Sequence, residues 1–156
     1  GGQRGGGTMT APNATAVKRC VTEALKNANI KPNEIDTING HLTATAKDGL
    51  EIQNWSDALS LSGDNFPYIN SLKSMVGHCL SASGSVESVA SVLQLHHGFI
   101  FPNTNCEDLH PEITAIIGES RIPQQLIKKE LNIVAKASFG FGDVNACVLL
   151  KKYHYD

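Results

Sequence analysis

Three short segments of this 156-residue chain carry side chains suited to chemistry. Gly40-His41-Leu42-Thr43-Ala44-Thr45 closes a short stretch at 35–40 that contains Ile35 and Ile38, and Lys73-Ser74-Met75-Val76-Gly77-His78 follows a second stretch at 66–72. Ser138-Phe139-Gly140-Phe141-Gly142 lies between two apolar runs near the end of the sequence. If the first two stretches are strands, each segment begins at a strand's carboxyl end, where ligands of open α/β sheets bind. Two neutral imidazoles converging there can donate hydrogen bonds to a thioester oxygen as it becomes an enolate. A decarboxylating Claisen condensation makes that demand.

The elements that must position these segments follow from periodicity. Val17, Cys20, Val21, Ala24, Leu25 and Ala28 recur at helical spacing over 13–29, after a Pro-Asn turn signal, and Lys31-Pro32-Asn33 ends that helix. Residues 35–40 read as a short buried strand. Residues 49–61 return to helix period with Leu50, Trp55, Ala58 and Leu59, and 62–65 form a turn. Residues 66–72 read as a second strand. Residues 82–97 form a helix rich in small residues, with Val86, Val89, Ala90 and Leu93 on one face and Gly98 at C′. Such a helix is expected to lie buried between layers. Residues 102–125 hold Pro, Asn, Asp and Gly and read as irregular surface. Ile133 to Phe139 and Ala146 to Leu150 read as a β-hairpin around Gly-Phe-Gly. Helices alternating with strands imply an α/β fold with a mixed, mostly parallel sheet ending in an antiparallel hairpin.

Composition excludes several classes. Apolar residues make up 41% and charged residues 18%, so the chain can bury a core and is not a disordered segment. A net charge of −2 gives no electrostatic footprint for nucleic acid or an anionic membrane. No apolar run approaches the ~20 residues that span a bilayer, and no signal peptide is visible. Cys20, Cys79, Cys106 and Cys147 lack metal-ligand or redox spacing, which favours reduced thiols and a cytoplasmic location. No metal is expected. Neighbouring His96 and His97 do not share a helix face and suit a helix C-terminus better than a metal. His110 and His154 sit in polar surroundings and earn no role. Lys18 and Arg19 read as a solvated helix face rather than a docking patch. The glycine-rich residues 1–10 are set apart as a leader or boundary, with the domain at 11–156.

Taken together the three segments resemble the β-ketoacyl-acyl-carrier-protein synthases of the thiolase-like superfamily, over about Met9 to Tyr153. His41, Thr43 and Thr45 match that family's His-Gly-Thr-x-Thr motif. Lys73 to His78 match its Lys-Ser-x-x-Gly-His motif in full, and Glu87 stands where the family places the acidic partner of its lysine. Gly140 to Asn145 match its Gly-Phe-Gly-Gly-x-Asn turn, and 101–105 match its Pro-x-x-Asn stretch. The resemblance implies the C-terminal half of a layered α/β/α fold. It also implies a role for each residue. His41 and His78 stabilise the enolate left when carbon dioxide departs. Lys73, paired with Glu87, sets the electrostatics of His78. Thr43 and Thr45 hold the phosphopantetheine arm. The Phe141 N–H serves the oxyanion hole and its ring gates the acyl pocket, with Gly140 and Gly142 as hinges.

Three departures stand out. Leu42 replaces a glycine and is expected to narrow the pantetheine entrance or tilt His41. The stretch Thr45 to Glu51 is one residue short, so the sequence alone does not assign Asp48 and Glu51 to the family's acidic pair. Asp143 replaces a glycine and brings a charge near the gate. The family's nucleophilic cysteine belongs to the other half of the fold. Cys79 follows His78 directly and is expected to pack as a small apolar residue instead. The chain alone is therefore expected to lack condensing activity. The implied partners are acyl carrier protein, the N-terminal half of the same fold and a second copy in a homodimer. No separate cofactor is implied, because phosphopantetheine arrives on the carrier protein. The alternatives are a non-catalytic, chain-length-factor-type subunit and an interaction domain.

Overall fold

The computed structural model describes residues 13–153, and the sheet at its centre is organised around one strand that pairs on both sides. Strand β1 (Thr37–Asn39) runs parallel to β2 (Tyr68–Asn70) and to β5 (Ile133–Gly140). β5 continues into an antiparallel pairing with β6 (Val144–Lys151), giving the order β2-β1-β5-β6. This is the mixed sheet and terminal hairpin expected. A separate antiparallel pair, β3 (Phe99–Ile100) and β4 (Ile127–Lys128), was not legible, because two-residue strands carry no periodicity.

Helix α1 (Ala14–Ala28) begins at Asn13, whose side chain accepts the N–H of Ala16. Asn29 ends it in the left-handed conformation, ahead of the proline turn that was expected to do so. Helix α2 (Asp48–Leu59) buries Ile52, Trp55 and Leu59, while Leu50 faces out. Helix α4 (Ser83–His97) is closed by Gly98 at φ +66°. Two four-residue helices, α3 (Lys73–Val76) and α5 (Pro111–Thr114), lie in stretches that read as loops.

Strand alternation gives the sheet two unlike faces. Ile38, Ile69, Ile133, Ala135 and Ala137 meet Val21, Leu25, Ile52, Trp55 and Leu59 in the main core. Full burial of each large member stabilises the fold by roughly 1.5–3 kcal/mol. The opposite face turns Asn39, Asn70, Val134 and Lys136 toward α4. Asn39 Nδ2 donates to the Glu87 carbonyl (3.0 Å) and to Ser91 Oγ (3.1 Å), and Asn70 Nδ2 donates to Gln94 Oε1 (3.0 Å).

This polar interlayer corrects the reading of α4. Its buried stripe is Ser83, Glu87, Ser91, Gln94 and Leu95, not the valine face. Val86, Val89, Val92 and Leu93 point outward, with Val89 60% exposed. The helix is therefore buried on one side only. Val144 and Val148 on β6 are exposed too, so the α4 side of the domain carries uncovered apolar surface. Residues 1–12 and 154–156, and with them the leader at 1–10 and His154, lie outside the described residues.

Candidate functional site

The parallel strands β1, β2 and β5 end at the same edge of the sheet, and each delivers one of the three segments there. Beyond β1 the chain turns at Gly40 into His41. Two backbone N–H groups at this turn, from His41 and Leu42, donate to the buried carboxylate of Glu51 on α2 (2.8 and 2.9 Å). A Cβ on Gly40 would stand 3.0 Å from Glu51 Oε1, so a side chain there would crowd the carboxylate. Asp48, one helical turn earlier, accepts the N–H groups of Thr43 (3.2 Å), Ala44 (3.0 Å) and Thr45 (3.3 Å). The acidic pair left unassigned by the shortened 45–51 stretch thus tethers the whole 41–45 loop.

Beyond β2, Lys73 opens α3 and is buried. The segment at 101–105 holds this turn in place. Asn103 accepts the Ser71 N–H (2.9 Å) and donates to the Ile69 carbonyl (3.1 Å), and Thr104 Oγ1 donates to the Ser74 carbonyl (2.7 Å). Lys73 Nζ pairs with Glu87 Oε1. His78 follows α3 and is exposed in this chain. Its Nδ1 accepts the Leu80 N–H (3.0 Å) and lies 3.0 Å from Ser83 Oγ. Leu80 turns its N–H inward from a left-handed conformation, φ +51°. An accepting Nδ1 places the ring proton on Nε2, leaving that N–H free to donate.

The two imidazoles meet. Their centroids are 5.5 Å apart in an edge-on arrangement. Phe139 backs His41 at 6.2 Å and is in turn 6.5 Å from Trp55 in the core. Burial, followed by the positive charges of Lys73, His78 and Lys136, lowers the His41 pKa to about 4. His41 is therefore a neutral imidazole at pH 7. Burial raises Glu51 to about 7, against the pull of its two backbone hydrogen bonds.

A cleft of about 570 Å³ gathers His41, His78, Thr43, Thr45, Gly140 and Phe141. Thr43 Oγ1 and Thr45 Oγ1 lie 3.3 Å apart at its rim. The Phe141 ring is 63% exposed, on a turn where Gly142 has φ +68°. Asp143 also lines this cleft, but its carboxylate accepts Asn13 Nδ2 (3.0 Å) and Asn145 Nδ2 (2.8 Å), which hold it to the turn. A second cavity, about 620 Å³, lies across the 43–48 loop and shares Thr43, Thr45 and His78. Leu42 lines this second cavity and packs on the main core, and it is not among the residues of the histidine cleft.

Other expectations needed correction. Cys79 is exposed, not packed, because the 77–82 connection lies on the open side of the domain. His96 and His97 occupy the last turn of α4 as expected, yet their rings touch edge-on at 4.6 Å. His110 accepts the Glu112 N–H and caps α5 (3.3 Å). Lys18 pairs with Asp57 on α2 (3.1 Å). The feature missed outright is Lys136, buried on β5 and 2.6 Å from Glu87 Oε2. The signal was available. Lys136 alternates with Ala135 and Ala137, so it must face the sheet side opposite the apolar core.

Residues 2–107 match the family model described as Beta-ketoacyl synthase, C-terminal domain. The chain is 33% identical over 147 residues to 3-oxoacyl-[acyl-carrier-protein] synthase 1 of Escherichia coli K12, covering 94% of this chain and 34% of that protein. Among solved structures it is similar to the ishigamide ketosynthase/chain length factor, with TM-score 0.84, 30% identity and coverage of 94% of this chain and 35% of the other. It is also similar to AntDE:AntF, a type II polyketide-synthase acyl-carrier protein in complex with its ketosynthase bound to the hexaketide. There the TM-score is 0.81 with 28% identity, covering 97% of this chain and 37% of the other. The chain spans about a third of the length of these relatives.

Proposed function

This chain belongs to the β-ketoacyl synthase family and carries its C-terminal domain, and from that premise we propose that it supplies the decarboxylation half of a 3-oxoacyl-acyl-carrier-protein synthase site. The observation that carries the proposal is the meeting of His41 and His78 at 5.5 Å, with the Lys73–Glu87 pair buried behind them.

In this reading a malonyl thioester on acyl carrier protein enters the cleft, its phosphopantetheine arm against Thr43 and Thr45. The bond between the carboxylate carbon and Cα breaks, carbon dioxide leaves, and the electron pair moves through Cα onto the thioester oxygen. His41 and His78 each donate an N–H to that oxygen as its charge grows. The enolate carbon then attacks an acyl thioester held on a cysteine of the N-terminal half. The Phe141 N–H steadies the tetrahedral oxygen, and the cysteine thiolate departs. The four cysteines here do not suit that nucleophilic role. Burial pushes the Cys147 thiol up to about 12 and raises Cys20 and Cys106, and exposed Cys79 points its Sγ toward the Val76 carbonyl (4.0 Å). The outward faces of α4 and β6 supply the apolar surface on which the N-terminal half would close. The intact enzyme is read as a homodimer that receives its substrates from acyl carrier protein.

The test is His78→Ala in the synthase assembled with its N-terminal half. Release of carbon dioxide from malonyl-carrier protein should fall by two orders of magnitude or more, while acylation of the cysteine stays measurable. Undiminished release would remove His78 from the mechanism. An assembled wild-type protein with no release and no acylation would favour the chain-length-factor-type reading.

A further inference from the structure

Lys136 has no place in the chemistry above, yet it is buried against the carboxylate that pairs with Lys73. Its Nζ contacts Glu87 Oε2 at 2.6 Å, Ser138 Oγ at 2.9 Å and the Ala137 carbonyl. Glu87 already has a partner, since Lys73 holds Oε1. One carboxylate thus serves two ammonium groups, each with its side chain no more than 5% exposed. A buried one-to-one pair is electrically closed, but this trio carries one uncompensated positive charge. Charges out of water are costly, and a second lysine adds that cost with no second carboxylate among the described residues in ion-pair contact to offset it. A group retained on those terms has a use for its field.

The groups facing this charge define that use. Glu87 reaches it from α4 and Lys73 from α3. Glu51 interacts with it from α2, Cys147 from β6 and His41 from the loop after β1. Glu51 has both carboxylate oxygens engaged by backbone N–H groups, and in the histidine cleft the group that this charge reaches is His41.

We propose that Lys136 is a positioning residue for the two histidines: it takes the second oxygen of Glu87, so that Lys73 and Lys136 share one negative charge and a net positive charge stands behind the ring of His41. That field acts twice. It holds His41 in its neutral, single N–H form, whose Nδ1 is buried without a hydrogen-bond partner. It also favours electron density on an oxygen placed between the two rings. The second effect rests on the condensing-site reading; the first does not. The lowered pKa of His41, to which Lys136 contributes after burial, Lys73 and His78, agrees with the placement.

The experiment is a titration of the histidine ring carbons by NMR in the 13C-His-labelled chain, with His41 assigned through His41→Gln. Lys136→Met leaves Glu87 a single partner and adds no unpaired charge. The His41 midpoint should rise by half a pH unit or more in Lys136→Met, and Lys136→Arg should hold it near the wild-type value. A folded Lys136→Met with an unmoved or lowered His41 midpoint overturns the proposal, whatever its effect on stability. A second measurement needs no variant: the 15N signal of the Lys136 side chain must be that of an ammonium at pH 7, and a neutral amine overturns the proposal too. In the assembled synthase, the acid limb of malonyl decarboxylation should move up with the His41 midpoint. A moved midpoint in a protein with no decarboxylation refutes the condensing-site reading and leaves the charge placement standing. A fixed midpoint with normal decarboxylation refutes the charge placement alone.

Discussion

Glu51→Gln separates two opposing effects at the turn that carries His41. The carboxylate accepts two backbone N–H groups at 2.8 and 2.9 Å, which favours ionisation, yet it is fully buried, which opposes it. Burial wins, and the pKa rises from 4.5 to about 7. A folded-state pKa above the unfolded one means that the native protein binds this proton more tightly. The stability Glu51 contributes is then fully present below pH 4.5 and is lost as pH climbs through 7. The shift corresponds to about 3 kcal/mol between those limits. Glutamine does not titrate. Its single carbonyl oxygen keeps one N–H bond and leaves the other group short of a partner, as the protonated acid does. Wild type and variant should therefore have similar stability at pH 4.5, and the variant should gain by about 3 kcal/mol relative to wild type by pH 8. His41 titrates over an overlapping window with the opposite sign. Its lowered pKa makes stability fall as pH drops from 6.5 toward 4, but that contribution is common to both proteins and cancels in the difference. Urea unfolding followed by circular dichroism at four or five pH values measures the difference directly. A difference that stays flat, or one that turns against the variant as pH rises, would refute the reasoning. It would show that the two N–H groups outweigh burial and keep Glu51 ionised throughout.

The remaining predictions concern α4. Glu87→Gln leaves Lys73 and Lys136 buried without an anion and should destabilise the fold by about 3–5 kcal/mol in urea titrations; adding Lys136→Met should recover part of the loss, and no recovery would mean the freed lysines find solvent. Val89→Asp alters a residue 60% exposed in this chain, so unfolding should change by no more than about 0.5 kcal/mol. The same change should prevent association with the N-terminal half in co-purification, and normal assembly would move the interface off the α4 face.

The parts of the molecule that were legible share one property: a single strong period. Helix α1 buries Val17, Val21 and Leu25 as its spacing requires, and the β5–β6 hairpin forms where two apolar runs flank Gly-Phe-Gly. The placement of His41 and His78 beyond β1 and β2 was legible because Ile38 and Ile69 mark two short strands and each histidine segment follows one of them. The tethers were less accessible. Glu51 and Asp48 act through backbone N–H groups of the 41–45 loop, and a sequence does not display where those N–H groups point.

Helix α4 shows why a correct helix can be assigned the wrong buried face. Its valines form the more apolar stripe, and apolar stripes are ordinarily buried. Here the sheet offers α4 Asn39, Asn70 and Lys136, and polar groups out of water must be paired. Ser91, Gln94 and Glu87 pair with them. Exposing the polar stripe instead would leave those sheet groups buried and unsatisfied, at about 1–3 kcal/mol each. The valine face is consequently turned away from the core that the described residues form. The same constraint that hides Glu87 under α4 also brings a carboxylate to Lys73, and so to the back of the two histidines. The packing choice that misleads a reading by hydrophobic period is thus the one that equips the site with charge.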